Sequence, residues 1–130
     1  MKNYDVVALG IAVMDIVAAP VDKNLFEHNK TPVDSVLLAP GGDAANQAAH
    51  LARLGWRTAL CCRLGEDALS RMFTAELAAC GVDMSHAAVS PESVMTAAVV
   101  LVAADGQRSI LHRRGNNYDF CREDVDLDVI

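Results

Sequence analysis

The spacing of apolar and polar positions changes several times along this chain, and each change predicts an element of secondary structure. Residues 5–9 are rich in valine and apolar after Asp5, without alternation, which is typical of a strand covered on both faces. Residues 58–64 are also mostly apolar and predict a second buried strand. Between them, residues 44–54 place small apolar side chains at helical spacing, so we expect a helix that lies close to a sheet.

A second helical pattern covers residues 68–80, where apolar side chains recur every three or four positions. Asp67 precedes this helix and Asp43 precedes the first one, so each aspartate is a candidate N-cap. Gly81 and Gly55 follow the two helices and are expected to end them. Strand, helix, strand and helix in this order predict a parallel, doubly wound α/β sheet.

Further apolar segments predict extended structure of another kind. Residues 14–19 end at Pro20, and residues 35–39 lead directly into a glycine pair. Residues 96–113 contain a long apolar run, a turn sequence and a returning strand, which is the signature of a β-hairpin. Residues 123–130 alternate acidic and apolar positions, as a helix or a strand leading onward would.

The composition of the 130 residues limits the classes of function that fit. Hydrophobic residues make up 52% of the chain, which suits one packed domain of modest size. A net charge of −6 argues against nucleic acid and against an anionic membrane surface as partners, because both select clustered lysine and arginine. No apolar run approaches the roughly 20 residues of a membrane-spanning helix, and no signal-peptide pattern is seen.

Four cysteines, Cys61, Cys62, Cys80 and Cys121, lack the spacing of metal ligands. We therefore expect them to be reduced and to act as small apolar groups in a cytoplasmic protein.

The loop that begins at Gly41 and Gly42 carries the chemistry of the chain. Glycine lets a ligand approach the backbone closely, and the first N–H groups of the helix that follows have no partner within it. Asn46 adds one donor group and one acceptor in the first turn of that helix. Donors and acceptors at fixed positions suit a polyhydroxylated ligand.

The same loop resembles a known signature. The spacing Gly-Gly-x-Ala-x-Asn-x-Ala, six residues, Gly, nine residues and Gly is similar to the N-terminal signature of the ribokinase-like (PfkB) family of carbohydrate kinases. It is met by Gly41, Gly42, Ala44, Asn46, Ala48, Gly55 and Gly65. The resemblance runs from about residue 5 to residue 117. It implies a ribokinase-like parallel doubly wound sheet with a small β lid, whose strands lie near residues 14–20, 35–40 and 95–113.

Members of this family transfer the terminal phosphate of ATP to a hydroxyl group of a sugar or nucleoside, usually with Mg²⁺. The resemblance implies that Asp15 accepts hydrogen bonds from sugar hydroxyls, that Gly41 and Gly42 form the surface under the sugar, and that Asn46 contacts it. It also places Asp43 beside the substrate, where a negative charge favours a neutral sugar or nucleoside. A homodimer formed through the lid is a further implication.

Each of these residues has a structural alternative that the sequence leaves open. Asp15 could be a solvated acid at a strand end, and the glycine pair could be an ordinary tight turn. Asp43 could serve only as an N-cap, and Asn46 could bond only to the backbone. The cluster of His112, Arg113 and Arg114 could be a solvated strand end, although an arginine that reaches the site would favour an anionic sugar. His50, one turn after Asn46, could face the same cleft.

The catalytic carboxylate, the ATP site and the Mg²⁺ site of the family belong to a second signature rich in Gly-Ala-Gly-Asp, which these 130 residues lack. We therefore expect residues 1–130 to be the N-terminal part of one kinase domain that holds the sugar side and is inactive alone. The alternative is a non-catalytic module that binds sugar or dimerises. A dinucleotide-binding domain is disfavoured, because Gly10-Ile11-Ala12-Val13 does not supply Gly-x-Gly-x-x-Gly after the first strand.

Overall fold

The computed structural model describes residues 3–130, with only the backbone of Asn116 and Asn117. Its strands and helices are β1 (Val6–Leu9), β2 (Val13–Val21), β3 (Ser35–Gly41), α1 (Asp43–Arg53), β4 (Thr58–Cys61), β5 (Arg63–Leu64), α2 (Ala68–Ala79), β6 (Val82–Asp83), β7 (Ala88–Val89), β8 (Thr96–Ala103) and β9 (Arg108–Arg113). Short 3₁₀ turns occupy Leu25–Glu27, Asn116–Asp119, Arg122–Asp124 and Leu127–Val129.

A parallel sheet with the order β1-β4-β6 is the centre of the fold, as the alternation of strands and helices predicts. All four residues of β4 are buried, and the helices α1 and α2 cover one face of this layer. The core contains fully buried Leu60 and Phe73 together with small residues of α1. Burying a side chain such as Phe73 contributes about 1.5–3 kcal/mol to folding, so this layer is the stable platform of the molecule.

The expected continuous strand over residues 58–64 is wrong in one respect. The chain leaves the central sheet after Cys61, and Arg63–Leu64 pairs with Ala88–Val89 instead. The cause is a change of hydrogen-bonding partner, because the carbonyl of Cys62 accepts from the backbone N–H of Ala88 at 2.8 Å. One apolar run thus contributes to two sheets.

A second, four-stranded sheet has the order β3-β2-β8-β9. The strand β2 pairs antiparallel with β3 and parallel with β8, and β8 pairs antiparallel with β9. The hairpin expected over residues 96–113 is therefore present, with Val99 opposite Leu111. The strand β2 runs past Pro20 to Val21, since the pairing with β8 shifts register between Ala18 and Val21 and spares the missing N–H of the proline.

The two helices begin differently. Asp67 caps α2 as expected, because its side chain accepts from the backbone N–H groups of Leu69 and Ser70. The same expectation for Asp43 is wrong. Gly42 is the N-cap of α1, with φ +99°, and Asp43 is already the first helical residue and makes no side-chain cap. Asp43 is exposed, and its charge still favours the positive end of the helix dipole.

The last residues fold back onto the parallel layer instead of continuing as a helix or strand. In their 3₁₀ turns, Asp124 forms an ion pair with Arg63 at 2.8 Å, and the Asp126 carboxylate lies 3.4 Å from Nδ1 of His86. Within residues 3–130, no helix is both long enough and apolar enough to cross a bilayer.

Candidate functional site

The candidate site lies where three parts of the chain meet. The strand β1 ends beside the segment Gly10-Ile11-Ala12, β3 ends at Gly41, and α1 begins directly after Gly42. Gly41 pairs with Val13, two residues before Asp15, so the carboxylate and the glycine lie on the same face of the four-stranded sheet. A Cβ atom on Gly41 would lie only 2.4 Å from Asp15 Oδ2. The fold therefore packs the Asp15 carboxylate directly against the Gly41 backbone.

Position 42 needs a glycine for two reasons, its backbone conformation and the lack of space for a side chain. Its φ of +99° is rare for residues with a side chain, and a Cβ atom there would lie 2.2 Å from the carbonyl oxygen of Ile11. This close approach holds the start of α1 against the segment that connects β1 to β2. The glycine pair thus fixes the distance between the helix start and the strand that carries Asp15.

The carboxylate of Asp15 is half-buried and has no partner in the described part of the chain. Desolvation by burial raises its pKa above the ordinary value. No hydrogen bond or ion pair within residues 3–130 offsets that burial, and the neighbouring side chain Met14 is fully buried. The Asp15 oxygens are not fully buried, so they remain open to donor groups of a ligand or of water.

The start of α1 offers complementary groups. The N–H of Asn46 bonds to the carbonyl of Gly42 at 2.9 Å, but no side chain caps the N–H groups before it. The side chain of Asn46 is exposed, and its amide has no partner among the described residues. The N-terminus of a helix carries partial positive charge, so this end of α1 favours electron-rich oxygens of a ligand.

Asp43 and His50 are placed differently from the other candidates. Asp43 lines a cleft along β1 with Gln47 and Leu51, each one helical turn further on. His50 is exposed, and its Nδ1 lies 2.6 Å from the carbonyl oxygen of Asn46, so the imidazole is tied to its own helix. Of the five residues that the resemblance singles out, Asp15 packs against Gly41, Gly42 and Asn46 lie at the start of α1, and Asp43 faces the cleft along β1.

The basic residues after β8 are divided between different roles. Arg113 donates from Nη2 to the carbonyl of Met95 at 2.7 Å, so its guanidinium is hydrogen-bonded to the backbone at the start of β8. The guanidinium of Arg114 lies 4.5 Å from the centroid of the Tyr118 ring, a cation–π contact. Neither contact brings an arginine to the Asp15 carboxylate.

One contact that sequence reasoning missed links the two sheets. Asp67, expected only as a helix cap, also accepts from the backbone N–H of Met95 at 2.7 Å and from the Ser70 hydroxyl at 3.1 Å. Burial raises the pKa of Asp67, but these hydrogen bonds outweigh burial and the net pKa is lowered. No local pattern could have revealed this bond, because Met95 lies 28 residues further along the chain.

Among residues 3–130 no cluster of three or more histidine, cysteine or acidic side chains could hold a metal ion. We assign no step of a reaction to a metal ion held by these residues.

A parallel α/β layer joined to a four-stranded sheet, with a glycine pair and a helix start between them, defines a ribokinase-like α/β fold. The solved structure of a PfkB protein from Polaromonas sp. JS666 superimposes with a TM-score of 0.79 at 27% identity, over 95% of this chain and 40% of that one. The structure of Arabidopsis thaliana ribokinase complexed with ribose and ATP superimposes with a TM-score of 0.72 at 30% identity, over 88% of this chain and 37% of that one.

The family follows from the sequence comparison. The model of the pfkB family carbohydrate kinases matches residues 3–129, and the chain belongs to that family. Fructokinase-1 of Oryza sativa subsp. japonica is 32% identical over 124 residues, which are 95% of this chain and 37% of that protein. The chain thus spans less than two fifths of the length of this curated relative.

Proposed function

We propose that this protein is an ATP-dependent sugar kinase of the cytoplasm and that residues 1–130 supply its sugar-binding side. The observation that carries the proposal is the half-buried, unpartnered carboxylate of Asp15, packed against Gly41 beside the start of α1. An ionised carboxylate only accepts hydrogen bonds, and neighbouring sugar hydroxyls are donors that could satisfy both of its oxygens. Membership of the pfkB family and the similarity to fructokinases and ribokinase support sugar as the acceptor.

The other residues of the loop complete this sugar site. Gly41 and Gly42 give a backbone surface without side chains on which the sugar lies. Asn46 donates and accepts through its exposed amide. Asp43 stands at the rim, where its charge disfavours an anionic substrate. The preferred substrate is accordingly a neutral sugar or nucleoside.

The four-stranded sheet is proposed as a lid over the sugar, since Asp15 lies on its face, β3 leads into the glycine loop and β2 begins opposite Gly41. The opposite face of this sheet carries Val36, Leu38 and Leu111, whose side chains are 60%, 37% and 57% exposed. Leu37 and Ile110 on the Asp15 face are also exposed, by 59% and 51%, and exposed apolar side chains on both faces of this sheet suit a homodimer formed through two lids. ATP supplies the phosphate in this proposal, with Mg²⁺ as its counter-ion, both bound outside the described residues.

The proposal is tested with Asp15→Asn in the protein expressed from its native gene. Charged hydrogen bonds contribute about 1.5–3 kcal/mol each, and the amide retains one acceptor, so we expect kcat/KM for the sugar to fall by about 100-fold. The matched control is Asp34→Asn, which changes an exposed aspartate just before β3 and should leave activity unchanged. Activity of Asp15→Asn within a factor of about two of the wild type would refute the assignment of Asp15.

The non-catalytic alternative is separated by two measurements. The intact mass of the protein from its native gene decides whether a nucleotide-binding part can be present, since one of 13.9 kDa contains only these residues. Calorimetric titration with sugar, with and without ATP, then distinguishes a kinase from a module that binds sugar alone.

A further inference from the structure

Four side chains outside the candidate sugar site form a continuous chain of contacts beside the parallel sheet. The hydroxyl of Tyr4, just before β1, lies 2.5 Å from Oδ2 of Asp83 at the end of β6. The same hydroxyl lies 3.0 Å from Nε2 of His86, and Nδ1 of His86 lies 3.4 Å from Oδ2 of Asp126. His86 therefore connects the parallel layer to the 3₁₀ turns within residues 122–130.

The direction of the hydrogen bond between Tyr4 and Asp83 follows from the ionisation of the two groups. The hydrogen bond from Tyr4 lowers the pKa of Asp83 to about 2, so this carboxylate is ionised at neutral pH and only accepts. The same hydrogen bond raises the pKa of Tyr4, which keeps its proton and donates it to Asp83. Because a hydroxyl has one proton, the Tyr4 oxygen can only accept from His86.

Both nitrogens of the His86 ring therefore face groups that accept. Nε2 faces the Tyr4 oxygen, and Nδ1 faces the Asp126 carboxylate, whose other oxygen accepts from the backbone N–H of Asp128 at 3.0 Å. A neutral imidazole has one N–H, so it donates to one of these groups and turns a lone pair toward the other. The imidazolium has two N–H groups and fits both. The contact with Asp126 is an ion pair only when the ring is protonated.

A thiol also faces this cluster, from β4 in the middle of the parallel sheet. Cys61 interacts electrostatically with Tyr4 and with Asp126. Burial raises the pKa of this thiol, so it is neutral at physiological pH and adds no charge. The charged groups beside His86 are therefore Asp83 from β6 and Asp126 from the 3₁₀ turns, and their negative charge is complementary to an imidazolium.

The same turns carry a second contact, which stays charged across the neutral range. Nη1 of Arg63 lies 2.8 Å from Oδ1 of Asp124, and the two side chains are 23% and 10% exposed. Burial raises the pKa of Asp124, but hydrogen bonds from Cys121 and Arg63 outweigh burial and the net pKa is lowered. A guanidinium is always charged in proteins. Arg63 therefore anchors residues 122–124 independently of pH, whereas the contact of His86 with residue 126 varies with pH.

We propose that His86 is a pH-sensitive latch, which fastens residues 126–130 to the parallel layer when its ring is protonated and releases them as the pH rises. Histidine is the side chain that ordinarily changes charge between pH 5 and 8. The docked segment offers the charged ring an acceptor that the released segment withdraws, so docking favours protonation and weakens at higher pH. Residues 128–130 and residues 3–7 line the same cavity, so release uncovers the start of β1. The latch is independent of the sugar site.

The test is hydrogen exchange with mass spectrometry on the protein expressed from its native gene, at about pH 5.5 and at pH 8. Protection factors correct for the effect of pH on the intrinsic exchange rate. The Asp126 side chain is 51% exposed, and ion pairs at exposed sites are weak, so we expect protection of residues 126–130 to be about 3-fold higher at the lower pH. Residues 122–124 should show a ratio near one.

Two variants isolate the latch. His86→Gln keeps a donor for the Tyr4 oxygen but is neutral at every pH, so its ratio of protection factors for residues 126–130 should fall to about one. Asp126→Asn keeps an acceptor for the N–H of Asp128 and removes the charge, and its ratio should also fall to about one. The matched control is His28→Gln, which removes an exposed histidine far along the chain and should keep the wild-type ratio.

Each other outcome contradicts the latch. Equal protection at both pH values in the wild type, or higher protection at pH 8, would overturn it. A wild-type ratio that persists in His86→Gln would show that another group titrates. If His86→Gln and Asp126→Asn lower protection by the same factor at both pH values, the role of His86 is structural only and the inference is wrong.

Discussion

Asp67 offers the sharpest test of how the parallel layer holds the four-stranded sheet. Its Oδ1 accepts from the backbone N–H groups of Leu69 at 3.0 Å and Ser70 at 3.2 Å, which caps α2. Its Oδ2 accepts from the backbone N–H of Met95 at 2.7 Å and from the Ser70 hydroxyl at 3.1 Å. Met95 immediately precedes β8, and its carbonyl is bound by Arg113 from the end of β9. Both ends of the hairpin are therefore fastened at Met95.

The expected effect of removing this carboxylate can be built from its parts. Loss of an N-cap costs about 1 kcal/mol. Met95 is fully buried, and leaving its N–H without a partner costs about 1–3 kcal/mol. Asp67→Ala should therefore lower the free energy of unfolding by about 2–4 kcal/mol. Asp67→Asn retains a good cap and loses mainly the bond to Met95, so its loss should be about 1–3 kcal/mol.

The same carboxylate predicts a dependence on pH. Because the folded state lowers the pKa of Asp67, its ionised form stabilises the protein above the pKa of the unfolded chain, about 3.9. That contribution is lost as the pH falls through the lower, folded-state pKa. Asp67→Asn lacks this contribution, so the difference in stability between wild type and variant should shrink as the pH falls below about 4.

The assay is urea unfolding followed by circular dichroism, at pH 7 and at a series of lower pH values. Glu66→Gln is the matched control, because Glu66 is exposed and next to Asp67 in sequence, and its stability should equal that of the wild type. The assignment of Asp67 is wrong if the free energy of unfolding of Asp67→Ala is within about 0.5 kcal/mol of the wild-type value, since the loss of a cap alone costs more than that. It also fails if Asp67→Asn is as stable as the wild type at pH 7.

Two further predictions follow from backbone geometry and from burial. Gly42→Ala should lower sugar affinity and should lose more stability than Gly55→Ala. Both glycines have a positive φ, but only at Gly42 would a Cβ atom meet the carbonyl of Ile11. Melting temperatures and titrations with sugar compare the two variants. Burial raises the pKa of Cys62 to about 12, so iodoacetamide at pH 8 should label exposed Cys121 in the folded protein and Cys62 only after unfolding. The intact mass reports the number of labelled cysteines. Labelling of Cys62 before unfolding would contradict its burial.

The elements of this fold could be predicted where their signals are local. The hairpin over residues 96–113 and the cap at Asp67 depend on periodicity and on neighbours a few residues away. The start of α1 was misplaced by one residue, because the backbone conformation of Gly42 and not the chemistry of Asp43 decides where the helix begins. The end of β4 could not be predicted, since it depends on a hydrogen bond from Ala88 to Cys62.

The residues of the candidate site also differ in whether neighbouring sequence or strand pairing determines their position. The glycine pair and Asn46 are adjacent in sequence, so their spacing was enough to single them out. The contact of Asp15 with Gly41 depends on the pairing of β2 with β3, and a shift of one residue in that pairing would turn the Asp15 side chain to the other face. The proximity of Asp15 to Gly41 can therefore be seen only once the register is known.

Asp67 and Asp15 differ in how many hydrogen-bond donors they contact, and removing each carboxylate should change the stability of the folded protein in opposite directions. Asp67 is surrounded by donors, whereas no described residue donates to Asp15, whose pKa is raised by burial. A raised folded-state pKa means that stability is lost as the pH rises through it, so at pH 7 the ionised Asp15 is a cost to the folded protein without ligand.

Asp15→Asn should therefore unfold at a urea concentration equal to or above that of the wild type at pH 7, although the proposed function predicts that it loses sugar phosphorylation. Asp67→Asn should change stability in the other direction. Addition of sugar should stabilise the wild type and not Asp15→Asn, because only a ligand that binds the folded state shifts its unfolding. If Asp15→Asn instead loses as much stability as Asp67→Asn, the Asp15 carboxylate is part of the framework, and the site is not held open for a ligand.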